Sequence, residues 1–224
     1  MRRSLPVAAV AATAALLSPL ALAGAAQARS ATPAPSPARA TIPGFTIGLV
    51  SLNGSGCRAG TAAVAPSPDG TAFTVSYSNY LAQSGAGTSP TDFRRNCQLT
   101  VQVNAPQGFT YAVAEADYRG YAYLAPGASA VEQANYYFQG MPQTVSASHP
   151  FSGPVDEDWQ ATDTANIASL VWSPCGEIRD LNINTQLRVS QGSADPGSTS
   201  FMTMDSTDGS LTTIYHLDWA QCPR

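Results

Sequence analysis

Glu115 and Asp117 place two carboxylates two residues apart in the segment Phe109–Asp117. On an extended chain such side chains share one face, about 6.5–7 Å apart, a separation that by itself suits the carboxyl pair of a glycoside hydrolase. Those pairs flank a substrate from opposite sides, however, and do not stand in one row. The same period puts both acids on the face of Phe109, Tyr111 and Val113, side chains that call for burial. Three arrangements resolve the conflict: a bulge that turns the end of the strand to solvent, an inward face made of Ala112, Ala114 and Ala116, or two carboxyls lining a concave surface. A bulge is the ordinary one.

His216 and Asp218 also stand two apart, opposite Leu217 and Trp219 on a strand-like run, so a carboxylate could hold an imidazole there. The sequence names no nucleophile for them, and an exposed polar face with an incidental pair is the simpler reading. The other histidine, His149, is distant in sequence. Gly-x-Ser-x-Gly, phosphate-loop and His-Glu-x-x-His patterns do not occur. Asp156, Glu157 and Asp158, with Asp163, concentrate negative charge in a stretch around Trp159 that reads as irregular. Oxygen-rich loops of this kind bind calcium outside cells, but the spaced ligands of an EF-hand are missing and a solvated acidic loop accounts for the run. No metal site and no cofactor is therefore expected.

The chain has nine tyrosines and two dense aromatic regions, Tyr118/Tyr121/Tyr123 and Tyr136-Tyr137-Phe138, with Trp159. Tyr121 and Tyr123 share a strand face. Exposed, Tyr121, Tyr123, Tyr136, Tyr137 and Trp159 would offer flat apolar surfaces with polar edges to a sugar or a protein; buried, they fill a core, and alternation requires some of them to do so.

The elements that must position these groups are strands. Cys97–Val103 and Leu181–Val189 alternate apolar and polar residues, and so do Phe73–Tyr77 and Leu211–Trp219 after the turns Ser67-Pro68-Asp69-Gly70 and Ser206-Thr207-Asp208-Gly209. Further strands are expected at Phe45–Leu52, Thr61–Ala65, Phe109–Ala116, Gly120–Leu124, Glu132–Phe138, Ile167–Ser173 and Thr199–Met204. Helix signals are sparse. Ten or eleven short strands between Gly, Pro, Asp and Ser clusters indicate an all-β chain with little helix, folded as a two-sheet antiparallel β-sandwich, jelly-roll-like or immunoglobulin-like.

Residues 1–28 read as an export signal: Arg2 and Arg3, an Ala/Leu-rich run, and Ala26-Gln27-Ala28 before a cut after Ala28, with a cut after Ala23 as the alternative. Residues 29–43 are rich in Pro, Ala and Ser and read as a disordered arm. A single domain is expected over 44–224. The net charge is −4, made more negative by loss of Arg2 and Arg3, and no basic run exists. Nucleic acid is excluded as a partner on this balance, as is a membrane span after signal removal. Cys57, Cys97, Cys175 and Cys222 lack zinc-type spacing and, in an exported chain, imply two disulfides. Three connectivities are possible; sequential pairing, Cys57–Cys97 and Cys175–Cys222, is expected because it staples the two ends of the domain separately.

Four stretches in order, Asp92-Phe93-Arg94-Arg95-Asn96-Cys97-Gln98-Leu99, Tyr118-Arg119-Gly120-Tyr121-Ala122, Ala134-Asn135-Tyr136-Tyr137-Phe138-Gln139-Gly140 and Trp172-Ser173-Pro174-Cys175-Gly176, resemble a family of small secreted proteins of actinobacteria and fungi catalogued as a domain of unknown function, number 4360. The likeness runs from about Gly44 to Pro223. It implies secretion, disulfides and a β-sandwich, and brings no catalytic residues with it. The function expected is a non-enzymatic extracellular binding or surface-interaction domain for a glycan or protein ligand. The rivals are a secreted hydrolase using the carboxylates or the His/Asp pair, and a secreted protease inhibitor.

Overall fold

The computed structural model describes residues 45–164, 171–204 and 212–223. The export signal, the arm, the start of the strand expected at Ile167 and the Leu211 end of the last strand lie outside the described residues. Those described form two antiparallel sheets facing each other, with no helix among them. One sheet has the order β1 (Thr46–Asn53), β5 (Arg94–Asn104), β10 (Leu181–Ser190), β7 (Ser129–Phe138), β8 (Val145–Ser152). The other runs β2 (Ala62–Pro66), β3 (Ala72–Tyr77), β12 (Thr213–Gln221), β6 (Phe109–Leu124), β11 (Thr199–Met204), β4 (Tyr80–Gly85), with β9 (Val155–Thr164) also on β6. Asp117 pairs with both Ile214 and Thr162, and Tyr123 with both Phe201 and Asp156. Hence β12 and β11 occupy successive parts of one edge of β6, and β9 the other.

Alternation decides the core. Leu99 and Val101 of β5, Ile183 and Leu187 of β10, and Tyr136 and Phe138 of β7 meet Phe73 of β3, Tyr118 and Leu124 of β6, and Tyr215 and Leu217 of β12 across the sandwich. Tyr215 sits at the centre, stacked on Phe73 with ring centroids 4.8 Å apart and met edge-on by Tyr118 and Tyr136. Both disulfides pair sequentially, Cys57–Cys97 and Cys175–Cys222, with Cα separations of 5.3 and 5.8 Å.

Three expectations need correction. The two strands expected at Phe109–Ala116 and Gly120–Leu124 are one, β6. The stretch around Trp159 is regular: Val155–Thr164 pairs residue for residue with Glu115–Leu124. Of the strand expected at Ile167–Ser173, the described part, Val171–Ser173, makes one isolated bridge from Trp172 to Ala112. β4 and β8 were not expected.

Gly120 lets β11 and β9 close on β6. A Cβ there would stand 2.0 Å from the Thr203 carbonyl oxygen and 2.9 Å from Trp159 Nε1. The same carbonyl accepts the Trp159 indole N–H at 3.0 Å. Gly120→Ala therefore has to push backbone aside, and a loss of about 1–3 kcal/mol in denaturant unfolding is expected, the usual cost of overpacking. Unchanged stability would contradict this packing.

Candidate functional site

The outer face of the larger sheet collects most of the chemistry-bearing side chains, and a bulge in β6 puts them there. Glu115 pairs with His216 and Val113 with Leu217, so Ala114 has no counterpart on β12. Before the bulge Tyr111 and Val113 face the core; after it Ala116, Tyr118, Ala122 and Leu124 do. Glu115, Asp117, Arg119, Tyr121 and Tyr123 consequently point outward in one row, about 26 Å long at strand rise.

One end of the row is aromatic. Phe201 of β11 lies beside both tyrosines, 6.1 Å from Tyr121 and 5.8 Å from Tyr123, with ring planes inclined by only 30° and 28°. Tyr123 is 40% exposed and Tyr121 partly so. Along the opposite edge β9 presents Asp156, Asp158 and Gln160, all exposed. The Tyr121 hydroxyl donates to Asp156, an interaction that raises the tyrosine above its usual range. Gln160 accepts from Arg119 Nε at 3.1 Å. Three near-parallel rings edged by fixed polar groups form a shelf with room along the strand for an extended ligand.

The other end is acidic. His216 Nε2 lies 3.5 Å from Asp117 and 3.8 Å from Glu115, so two pairs that looked separate in the sequence are brought together by the β6–β12 register. Asp218 shares the outer face with His216. Asp117 is largely buried and accepts hydrogen bonds from Thr162 Oγ1 at 2.6 Å and Gln160 Nε2 at 3.3 Å.

Other expected binding residues lie elsewhere. Tyr136 and Trp159 are buried, 1% and 6% exposed, and belong to the core. Tyr137 alternates with Tyr136 and Phe138 and faces outward on the smaller sheet, away from the shelf. The acidic run is split by its strand period: Asp156 and Asp158 point out, whereas Asp163 is 4% exposed and faces inward. These acids do not converge as an ion-binding group among the described residues, because a strand sends neighbours to opposite faces.

Asp163 instead joins the sheets. Tyr118 and Tyr136 share a hydroxyl–hydroxyl bond, Tyr136 donates to Asp163 Oδ2 at 2.6 Å, and His149 Nε2 lies 2.6 Å from Oδ1. Burial raises both tyrosines well above their usual range. Beside this chain Glu132 of β7 is fully buried, and neither carboxyl oxygen has a hydrogen-bond partner among the described residues. Burial, reinforced by Asp163, holds its carboxyl well above the usual carboxylate range. Sequence reading missed His149, Glu132 and Phe201 as site or network members. Only Phe201 carried a signal, since it alternates with Met202 and Met204 and must face outward when they are buried.

Secretion, two disulfides and a β-sandwich define the class of this protein. The chain belongs to the family described as domain of unknown function DUF4360, whose model matches residues 43–222. A relative from Arthroderma benhamiae, named an uncharacterized secreted protein, is 40% identical over 189 residues, 84% of this chain and 74% of its own. Among solved structures, TmCBM61 in complex with β-1,4-galactotriose is similar at 9% identity and a TM-score of 0.30, over 81% of this chain and 91% of that one.

Proposed function

We propose that this protein is a non-enzymatic binding domain for an extracellular polysaccharide, held on the outer face of β6, β9 and β11. The observation that carries the reading is the shelf of Tyr121, Tyr123 and Phe201, with rings near parallel and tyrosines open to solvent. Sugar rings present apolar C–H faces and a rim of hydroxyls, so flat aromatic faces bordered by carboxylates, an amide and a guanidinium match both parts at once. Asp156, Asp158, Gln160 and Arg119 supply that border. The hydrolase reading is less well served: Glu115 and Asp117 stand side by side in one row, where a glycosidase pair would stand on either side of the bond to be cut.

Pull-down on chitin, cellulose, β-glucan and bacterial cell wall tests the reading. At least one polymer is expected to retain the protein, and Tyr121→Ala, Tyr123→Ala or Phe201→Ala to release it while the melting temperature stays near that of the parent. Retention on none of the four, or retention unaffected by all three substitutions, would contradict it.

A further inference from the structure

At the acidic end of the same face, Glu115, Asp117 and His216 each turn one ligand atom toward the other two, all within 4.8 Å of one another. The Nε2 distances to Asp117 Oδ2 and Glu115 Oε1, 3.5 and 3.8 Å, are too long for hydrogen bonds, which close to about 2.7–3.2 Å. They fit the spacing of donors around a single ion. Bonds of about 2.0–2.2 Å to nitrogen and oxygen in tetrahedral array set neighbouring donors roughly 3.4 Å apart.

A second observation concerns Asp117 alone. It is 8% exposed, and its Oδ1 is held by Thr162 and Gln160, which fixes the carboxylate plane and aims Oδ2 at His216. Hydrogen bonds to the far oxygen are how ligating carboxylates are oriented in metal sites. Arg119 reaches Oδ2 only at 3.9 Å and is itself tied to Gln160, so it balances the charge without occupying the oxygen. The bulge at Ala114 matters here as well, because it turns Glu115 and Asp117 outward and sets Glu115 directly across from His216.

We propose that Glu115, Asp117 and His216 bind one divalent transition-metal ion of the zinc type, with solvent completing its coordination. An imidazole nitrogen with two carboxylate oxygens suits zinc and its neighbours, whereas calcium and magnesium take oxygen donors. The site lies about 13 Å along β6 from Tyr121 and does not depend on the glycan reading.

Chelator-stripped full-length secreted protein titrated calorimetrically with Zn2+, and in parallel with Ca2+, provides the test, with bound metal counted by plasma mass spectrometry. One saturable Zn2+ per chain is expected. Glu115→Gln and His216→Gln should each weaken it at least tenfold with the melting temperature of the metal-free protein preserved, and His149→Gln should leave it unchanged. Absence of saturable Zn2+ binding, Zn2+ binding that survives His216→Gln, or Ca2+ binding of equal strength would overturn the proposal.

Discussion

Glu132→Gln is expected to stabilise this protein at neutral pH and to change little near pH 4. Glu132 lies in the core with neither oxygen hydrogen-bonded among the described residues, and burial beside Asp163 lifts its carboxyl well above the ordinary value. In the unfolded chain it titrates at about 4.3. Between that value and the raised folded one, the unfolded chain binds fewer protons than the native state, so stability falls as pH rises, by about 1.4 kcal/mol per pH unit from this group. Glutamine has nearly the same shape and no proton to lose. Denaturant unfolding of parent and variant at pH 4 and pH 7 is the check: the two should agree at the lower pH and diverge at the higher. Parallel stabilities at both would mean that Glu132 is charged and paired in the native state.

Loss of either disulfide is the second large effect. Cys57–Cys97 and Cys175–Cys222 span 40 and 47 residues, and closing loops of that size removes unfolded-state entropy worth about 4 kcal/mol each in the chain-entropy treatment. Cys57 and Cys97 are also fully buried, so the Cys57→Ala/Cys97→Ala pair leaves unfilled space in the core. A domain of this size holds only about 5–15 kcal/mol in total. Each double substitution should lower the unfolding free energy by about 2–4 kcal/mol, and removing both bridges should leave the chain largely unfolded at 37 °C. A loss below about 1 kcal/mol for either pair would show that the bridge adds nothing to a fold held by its sheets.

Strands with one wet face were legible because their alternation is clean: Cys97–Val103, Leu181–Val189 and Phe73–Tyr77 lie within β5, β10 and β3. The strands that escaped are edges or nearly so. β8 carries Pro150 and small residues, and in β9 three consecutive acids follow Val155; both features keep an edge from pairing with another chain, and both imitate a loop in sequence. The conflict between Glu115, Asp117 and their apolar neighbours was visible, and a bulge resolves it. What brings His216 beside those acids is a pairing between residues about a hundred positions apart, and no local pattern encodes such a register. For the tyrosines, density in sequence said little about exposure: one residue of offset sends Tyr136 into the core and Tyr137 to the far face.

The binding face is tested most directly by comparing Tyr123→Ala with Tyr137→Ala, one on each outer surface of the sandwich, in calorimetric titration with a soluble oligosaccharide of whichever polymer retains the protein. The account predicts at least a tenfold loss of affinity for Tyr123→Ala with its melting temperature unchanged, and parental affinity for Tyr137→Ala. Loss of binding in Tyr137→Ala together with parental affinity in Tyr123→Ala would place the ligand on the opposite sheet and contradict the account.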